Sequence, residues 1–429
     1  MLHSCVYSKW CYCIPKQSNI PSLTALTARN IAMNHFTSSC SRTQSITLLR
    51  NLPKEIVSKV LHEIIKSNAL TDDRLTLFYT FTHTELRLRM CCSIRKSILR
   101  QIPFYCPQLR ILDFSYSSQV NNPIVRGVLQ HCTRLQVLEL DACRHVTDQA
   151  FQPDYSPFCP LRACTSLKRL SIAKCSQITG KGLFLIAKTC SALIDLNVSY
   201  CRRIGNTAVD AFLHSSLPLL RLEISFMELD DRAFDVPQPF SPFTTLCGLE
   251  YLNLTHNKFT DASVSVLTCH CSCLQELVLD NCDSITDIAL ETLVRGKWIG
   301  KLKVLSLENC SQITDHGVLA LCALTHLKTL NIAWCDITDK SVMKFVHSFE
   351  QAEEEEKFTH LRKLNVNWCT QLTDSTLNVI TRIYAKRLDR LVFSQCPYFQ
   401  ICITGCKRMS MRQRQHAQAI GVDIVCLDI

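Results

Sequence analysis

The chain of 429 residues has few glycines and no long apolar run. Its 10 glycines exclude the glycine-rich and collagen-like classes, which need far more of this residue. No stretch of about 18 consecutive apolar residues occurs, so we expect no transmembrane helix. The first residues, Met1 to Cys5, lack the continuous apolar segment of a secretory signal, and we therefore expect a protein that is not secreted.

Common catalytic and nucleotide-binding motifs are also missing. The chain contains no Gly-x-x-x-x-Gly-Lys-Ser/Thr, no Gly-x-Gly-x-x-Gly and no Gly-x-Ser-x-Gly segment. His62-Glu63 lacks the second histidine of a zincin helix. No nucleophile is paired with an orienting base in a recognisable pattern. We therefore expect no enzyme, no catalytic residue and no cofactor.

Acidic residues are absent from residues 1–54, which hold six lysines and arginines. The remaining residues carry 41 basic and 37 acidic side chains, so the body of the chain is nearly balanced. That balance gives no reason to expect nucleic acid or a membrane as a partner. We expect residues 1–50 to form a disordered leader. A mitochondrial transit peptide, also basic, Ser-rich and poor in acid, is the alternative.

A repeat of about 26 residues runs through the rest of the chain. Twelve segments fit Leu-x-[Leu/Ile/Val/Phe]-x-x-Cys or a variant of it, from Leu86 to a last unit that ends at Cys396. Most spacings fall within the roughly 20–29 residues of leucine-rich repeats. Each unit predicts a short strand with one buried face, then a helix that begins at a Thr-Asp pair such as Thr314-Asp315.

This repeat explains most of the 27 cysteines. Nine occupy the strand-end position and five more a helix-end position. A small apolar side chain with a weak donor suits a tight bend, and successive repeats place it in a ladder rather than in a convergent ligand set. The cluster Cys269-His270-Cys271-Ser-Cys273 comes nearest to a metal site, but the repeat itself requires Cys271. We expect buried, reduced thiols and no metal.

One unit shows the whole pattern, as Leu302-Lys-Val-Leu305-Ser-Leu307-Glu-Asn-Cys310-Ser-Gln-Ile313-Thr-Asp315. Over residues 85–396 the chain resembles the cysteine-containing leucine-rich-repeat family, the type found in F-box/leucine-rich-repeat proteins and in the antagonist of mitotic exit network family. The resemblance implies an α/β solenoid of about 12 repeats, curved like a horseshoe, with a parallel concave sheet and convex helices. Residues 397–429 should form a C-terminal cap whose last segment adds an edge strand.

Residues 51–84 precede the repeats and predict a helical N-terminal cap. Leu52-Pro53 starts an amphipathic helix whose apolar positions include Ile56, Val60 and Leu61. This start resembles the opening of an F-box, the module that binds Skp1 in cullin-type ubiquitin ligases. Only 33 residues separate Leu52 from the first strand, fewer than an F-box has. A plain cap, as in the mitotic-exit-antagonist family, is therefore the alternative.

Aromatic residues recur two positions after the last apolar residue of several strands. Trp334 and Trp368 hold this place in consecutive repeats and should lie about 5 Å apart. Tyr200 and Phe226 form a similar pair, and Tyr116 has the same position earlier in the chain. We expect these residues to belong to a partner-binding concave face centred on the two tryptophans, because large exposed aromatics concentrate interface energy. The alternative is that each ring only covers the turn after its strand.

Strand carboxylates complete this candidate surface, namely Asp141, Asp280 and Glu308. With Arg87 and Arg89 in the first repeat they make a mixed charge pattern. Such a pattern suits a basic or mixed protein ligand better than DNA, whose phosphates need a continuous positive track.

We therefore expect a scaffold that holds a target protein on its concave face. By resemblance, its setting is substrate recognition for a Skp1–cullin–F-box ubiquitin ligase, in ubiquitin-dependent protein catabolism or cell-cycle regulation, with Skp1 as the candidate adaptor. The alternative is a ligase-independent interaction or inhibitor protein without a working F-box. We expect a cytoplasmic or nuclear location, or a mitochondrial one if residues 1–50 act as a transit segment.

Overall fold

The structure, a computed structural model, contains a 13-stranded parallel sheet with helices between the strands. It describes residues 22–36, 42–79, 84–153, 162–234, 244–351, 361–390, 400–403, 409–419 and 423–425. Each strand pairs with the next one in the chain, for example Leu112 with Leu138 and Leu138 with Leu170. Strand order therefore equals chain order, which is the arrangement of a solenoid whose repeats contact only their neighbours.

All strands are three residues long. In chain order they are β1 (Glu85–Arg87), β2 (Ile111–Asp113), β3 (Val137–Glu139), β4 (Arg169–Ser171), β5 (Asp195–Asn197), β6 (Arg221–Glu223), β7 (Tyr251–Asn253), β8 (Glu276–Val278), β9 (Val304–Ser306), β10 (Thr329–Asn331), β11 (Lys363–Asn365), β12 (Gln400–Cys402) and β13 (Asp423–Val425).

Four helices precede β1, and the others lie between strands. They are α1 (Leu23–His35), α2 (Arg42–Arg50), α3 (Lys54–Lys66), α4 (Asp72–Phe78), α5 (Lys96–Leu99), α6 (Ile102–Tyr105), α7 (Asn122–His131), α8 (Gly180–Thr189), α9 (Asn206–Leu213), α10 (Thr244–Gly248), α11 (Asp261–His270), α12 (Asp287–Leu293), α13 (Asp315–Ala320), α14 (Asp339–Gln351), α15 (Asp374–Arg390) and α16 (Met411–Ala419). Short 3₁₀ helices occupy Asp148–Phe151, Arg162–Thr165, Asp231–Phe234 and Leu321–Ala323.

Alternation along each strand creates the core. In the repeat of β4, Leu170 and Ile172 are fully buried, whereas Arg169, the residue before Leu170, is exposed. Successive side chains of a strand point to opposite faces, so the leucines of all repeats stack into one continuous apolar cluster. The predicted α/β leucine-rich-repeat solenoid is confirmed.

The strand-end cysteines bond to the preceding repeat. The Cys143 thiol donates to the carbonyl oxygen of Phe114 over 3.2 Å, and the Cys175 thiol donates to that of Leu140 over 3.1 Å. Cys201, Cys310, Cys335 and Cys369 repeat this contact. Asn257 replaces the cysteine in one repeat, and its amide donates to the carbonyl oxygen of Ile224 over 2.9 Å. The position therefore selects a small buried donor, which confirms the predicted role of its cysteines.

Each Thr-Asp pair connects two repeats. Thr314 caps α13 by accepting a hydrogen bond from the His316 N–H, while its own N–H and hydroxyl donate to the Asp287 carboxylate over 2.8 and 2.6 Å. A β-carbon on Gly317 would clash with the Asp287 carboxylate, so a larger residue there would require this side chain to shift. The same double contact joins Asp148 to Thr179, Asp231 to Thr260, Asp261 to Thr286, Asp315 to Thr338, and Asp339 to Thr373.

The prediction of a disordered leader is wrong for the part of residues 1–50 that the structure describes. Helix α1 packs on α3, and α2 packs on α4. Ala28, Ala32, Phe36 and Leu49 are buried in these contacts. The N-terminal cap therefore begins near residue 22 rather than at residue 51, because the small and apolar residues of the leader complete the apolar face of α3. Residues 1–21 lie outside the described residues.

The last predicted repeat stays a prediction. The unit ending at Cys396 lies in residues 391–399, outside the described residues, and the twelfth strand is β12 at Gln400–Cys402. Ile401 pairs with Leu364 and takes the buried leucine position. The predicted final edge strand is present as β13, paired with β12.

Replacing Asp287 with alanine should weaken the contact between two repeats. The variant loses a carboxylate that accepts from both the N–H and the hydroxyl of Thr314, so we expect unfolding free energy to fall by roughly 2 kcal/mol. Asp283→Ala, at an exposed position in the same turn, is the matched control. Thermal unfolding followed by circular dichroism measures both variants, and equal midpoints would contradict a structural role for the Thr-Asp contact.

Candidate partner-binding surface

The third residue after each of the strands β1 to β11 has a left-handed backbone. In eleven successive repeats this position has φ between 56° and 64°, without any glycine. We call these residues the rim ladder: Met90, Tyr116, Ala142, Lys174, Tyr200, Phe226, His256, Asn281, Asn309, Trp334 and Trp368. Left-handed φ costs an ordinary residue roughly 1–2 kcal/mol. The geometry is held because the rim N–H donates to a carbonyl of the next repeat at the ten positions from Met90 to Trp334, as Trp334 does to Asn367 over 2.9 Å.

Rings of the rim ladder stack on one another. The ring centroids of Trp334 and Trp368 lie 4.7 Å apart with planes 15° from parallel, as their repeat positions predict. Tyr200 and Phe226 stack at 4.3 Å and 7°, and His256 follows Phe226 at 4.6 Å and 25°. Four of the five aromatic residues chosen from the sequence are thus brought together in two stacks, and Tyr116 belongs to neither. Their role in binding a partner stays a prediction.

Cations extend the ladder at its N-terminal half. The Arg89 guanidinium lies 4.8 Å from the centroid of the Tyr116 ring, and the Lys174 ammonium lies 4.8 Å from that of Tyr200. Trp334 is 48% exposed and Tyr116 is 37% exposed, although both are large apolar side chains. The ladder therefore presents planar rings and cations to solvent along one edge of the sheet.

The face of the sheet opposite the leucine core carries a network of alternating charges. The sequence analysis did not identify this network. Arg169 lies 3.5 Å from the Asp195 carboxylate and 4.0 Å from that of Glu139, and Arg221 lies 3.9 Å from Asp195. The Arg221 guanidinium also lies 3.8 Å from the centroid of the Tyr251 ring. Arg169, Asp195, Arg221 and Tyr251 are the first residues of four successive strands, so aligning the first residue of each strand could have revealed this part of the network.

Asp280 and Glu308 lie together on the sheet further along the solenoid. The Asp280 carboxylate accepts from the Ser306 hydroxyl over 2.5 Å and from the Glu308 N–H over 2.9 Å. Asn331 donates to the Glu308 carboxylate over 3.0 Å. Burial raises the pKa of Asp280 to about 7, and the nearby charge of Glu308 adds to this shift. Burial also raises the pKa of Glu308. Ionising either carboxyl group therefore costs free energy in the folded protein.

Asp141, the third predicted carboxylate, has a similar environment in the N-terminal half. It accepts from the Ser171 hydroxyl and from the Ala173 N–H. Burial raises the pKa of Asp141 despite these hydrogen bonds. Asp141 is separated from Asp280 by four strands, so the predicted carboxylates form two sites rather than one patch.

The F-box-like residues serve mainly in internal packing. Val60 and Leu61 on α3 are buried, and Leu52 and Ile56 pack partly buried against the same core. Pro53 is the exposed residue that precedes α3. Helix α1 covers α3, as shown also by the bond from the Lys59 ammonium to the Thr24 hydroxyl over 2.7 Å. The apolar face predicted for an adaptor is therefore occupied by α1.

The thiols of the strand-end cysteines are poor nucleophiles. Burial raises the pKa of the Cys143 and Cys201 thiols to about 12. Within the described ranges, no three His, Cys, Asp or Glu side chains are grouped closely enough to hold a metal ion. None of the helices that the structure describes is long and apolar enough to cross a membrane.

Comparisons with known proteins give the same architecture. The leucine-rich-repeat family model matches residues 163–187, 246–267, 270–294 and 323–346. The Rad7 chain in the yeast Rad7–Elc1 complex superposes with a TM-score of 0.60 at 16% identity, over 94% of this chain and 92% of that chain. At this identity the likeness shows the fold alone.

Curated relatives carry the predicted resemblance. F-box/LRR-repeat protein 4 of Bos taurus is 27% identical over 55% of this chain and 33% of its own length. DNA repair protein rhp7 of Schizosaccharomyces pombe is 25% identical over 68% of this chain and 52% of its own. Antagonist of mitotic exit network protein 1 of Candida glabrata is 35% identical over 24% and 21%. The chain thus spans about half or less of these relatives, and its resemblance to both predicted groups is confirmed.

Replacing Asp280 with asparagine should stabilise the protein at high pH. The folded-state pKa of Asp280 is raised to about 7, so its contribution to stability is present below the ordinary Asp pKa and is lost as pH rises through 7. Asp280→Asn keeps the acceptor oxygen for Ser306 without the charge. We expect a gain on the order of 2 kcal/mol at pH 8 and little change at pH 4. Thermal melts across this range, with Asp283→Asn as control, measure it; a pH-independent difference would contradict the raised pKa.

Proposed function

We propose that this protein is a non-catalytic substrate-recognition subunit of a Skp1–cullin–F-box type ubiquitin ligase. The observation that carries the proposal is a helical cap, α1 to α4, fused to one end of an uninterrupted parallel sheet. The resemblance to F-box/LRR-repeat protein 4 supports this setting, as does the likeness to Rad7, which forms a complex with Elc1. We propose that the protein acts in the cytoplasm or nucleus.

The adaptor would bind the exposed side of α1 rather than α3. Leu23 is 81% exposed and Leu26 is 45% exposed, and both lie on the helix face that turns away from the buried Ala28 and Ala32. An apolar helix face at the end of the solenoid is suited to a partner of the Skp1 class, which would bury these leucines. Elc1, the partner of Rad7, is the second adaptor to be tested.

The target would bind across the C-terminal half of the sheet face and the rim beside it. Trp334 and Trp368 supply apolar area, and Asp280 and Glu308, which follow the neighbouring strands β8 and β9, supply two carboxylates. A target that presents a lysine or arginine next to an apolar side chain would stack on the tryptophans and neutralise the carboxylates. The alternating charges around Asp195 do not form the positive track that DNA requires.

A ligase-independent interaction protein is the second candidate. The burial of Val60 and Leu61 favours it, because the helix that resembles an F-box start is covered by α1. In that case the cap would only shield the end of the solenoid core.

Adaptor capture separates the two candidates. Purified protein should retain Skp1 or Elc1 in a pull-down, and Leu23→Asp/Leu26→Asp should abolish capture because two charges replace the exposed leucines. Ile288→Asp, at an exposed apolar position on α12 in the middle of the solenoid, is the control and should bind normally. If the unmodified protein captures neither adaptor, the ligase proposal is wrong and the ligase-independent function is supported.

Target binding should depend on the tryptophan stack. Trp334→Ala/Trp368→Ala should reduce recovery of co-purifying target proteins by more than about tenfold, since aromatic anchors carry roughly 2 kcal/mol or more each. The control is Phe184→Ala, which removes a ring that is 63% exposed on helix α8. Circular dichroism verifies folding of both variants. Equal recovery by the two variants would show that the rings only cover their turns.

A further inference from the structure

One position of the rim ladder has a side chain that ends at the β-carbon. Ala142 lies between Tyr116 and Lys174 in the ladder. Its φ of 57° is close to the 62° of both neighbours, and its N–H donates to the carbonyl oxygen of Ala173 over 2.7 Å, as Tyr116 and Lys174 donate to carbonyls of their next repeats. The backbone at Ala142 therefore has the same geometry as at its two neighbours in the rim ladder, and Ala142 differs from them only in its small side chain.

The space left at Ala142 has the thickness of one aromatic ring. Strands β2, β3 and β4 pair in register, so Tyr116 and Lys174 are two strand spacings apart, about 9–10 Å. Filled neighbouring rungs stack with centroids 4.3 Å apart for Tyr200 and Phe226, and 4.7 Å apart for Trp334 and Trp368. A flat ring above Ala142 would lie at this stacking distance from both neighbours.

The two walls of this space have complementary chemistry. Arg89, from the preceding repeat, covers one face of the Tyr116 ring at 4.8 Å, so the opposite face is directed toward Ala142. Tyr116 is 37% exposed. On the other side, the aliphatic stem of Lys174 leads to an ammonium group 4.8 Å from the centroid of Tyr200. A guest ring would stack on tyrosine and meet a lysine cation on its other face.

We propose that the gap at Ala142 binds one aromatic side chain of a partner protein between Tyr116 and Lys174. The slot has two walls and an open edge, so it would leave the rim of a free aromatic molecule in solvent, whereas small-molecule sites bury most of their ligand. A protein partner adds contacts on the neighbouring sheet face, where Glu139 and Asp141 lie on either side of the buried Leu140 in the same repeat. The slot rests on the proposed function only in assigning the ring to a protein.

Ligand-observed saturation-transfer NMR on the full chain tests the slot. The probe is the peptide Ac-Gly-Trp-Gly-NH2, and Ac-Gly-Leu-Gly-NH2 is the apolar control without a ring. We expect saturation of the indole protons by the unmodified protein, and loss of that signal with Ala142→Tyr, which fills the rung. Ala142→Ser keeps the slot open and should behave as the unmodified protein. The leucine peptide should give no comparable signal.

Folding of the filled variant is verified independently. Phe226, Tyr200 and Trp334 show that large rings are accepted at this backbone geometry, so Ala142→Tyr should not lower the melting midpoint. Tyr116→Leu removes one wall while keeping an apolar side chain, and it should also reduce the indole signal. Equal indole saturation with and without Ala142→Tyr, equal signals from both peptides, or no indole signal from the unmodified protein would overturn the proposal. Adaptor capture should be unchanged by Ala142→Tyr, so failure of the slot is distinguishable from failure of the ligase proposal.

Discussion

Each repeat of this solenoid satisfies its polar groups with groups of the adjacent repeat. The cap of α13 donates twice to Asp287, the Cys310 thiol donates to the carbonyl of Leu279, and the rim N–H of Asn309 donates to the carbonyl of Ala333. These contacts cross the boundaries at the helix start, the core and the strand turn, and so they determine how adjacent repeats are placed. Because the placement is regular, a residue type at one repeat position acquires the same neighbours in every repeat. The stacked rings and the charge network are consequences of this regularity.

Much of the fold could be predicted from spacing. Period-two alternation identified eleven of the strands, and equivalent repeat positions predicted the distance between Trp334 and Trp368. The unit ending at Cys396 lies outside the described residues, and β12, with its buried Ile401, was not among the repeats predicted from the sequence. Helix α1 was missed because its buried residues, such as Ala28 and Ala32, are small and become apolar contacts only against α3.

The candidate site was predicted less completely than the fold. Aromatic side chains were recognised at the rim, but the left-handed backbone that aligns them has no glycine to signal it. The network of Arg169, Asp195 and Arg221 joins residues about one repeat apart, and its neighbours follow only from strand register. The rim and the sheet face together combine rings, cations and partly buried carboxylates within one rigid frame. Such a surface is suited to a protein partner, because its polar groups are already positioned before binding.

The division of the molecule into an adaptor end and a target face is the central claim, and hydrogen–deuterium exchange tests it most directly. The full chain is compared with and without saturating Skp1 or Elc1. We predict slower exchange in α1 and in the parts of α3 that it covers, with unchanged exchange along β8 to β11 and the rim beside them. Protection of the sheet face by the adaptor, or no protection of α1 by either adaptor, would contradict the claim.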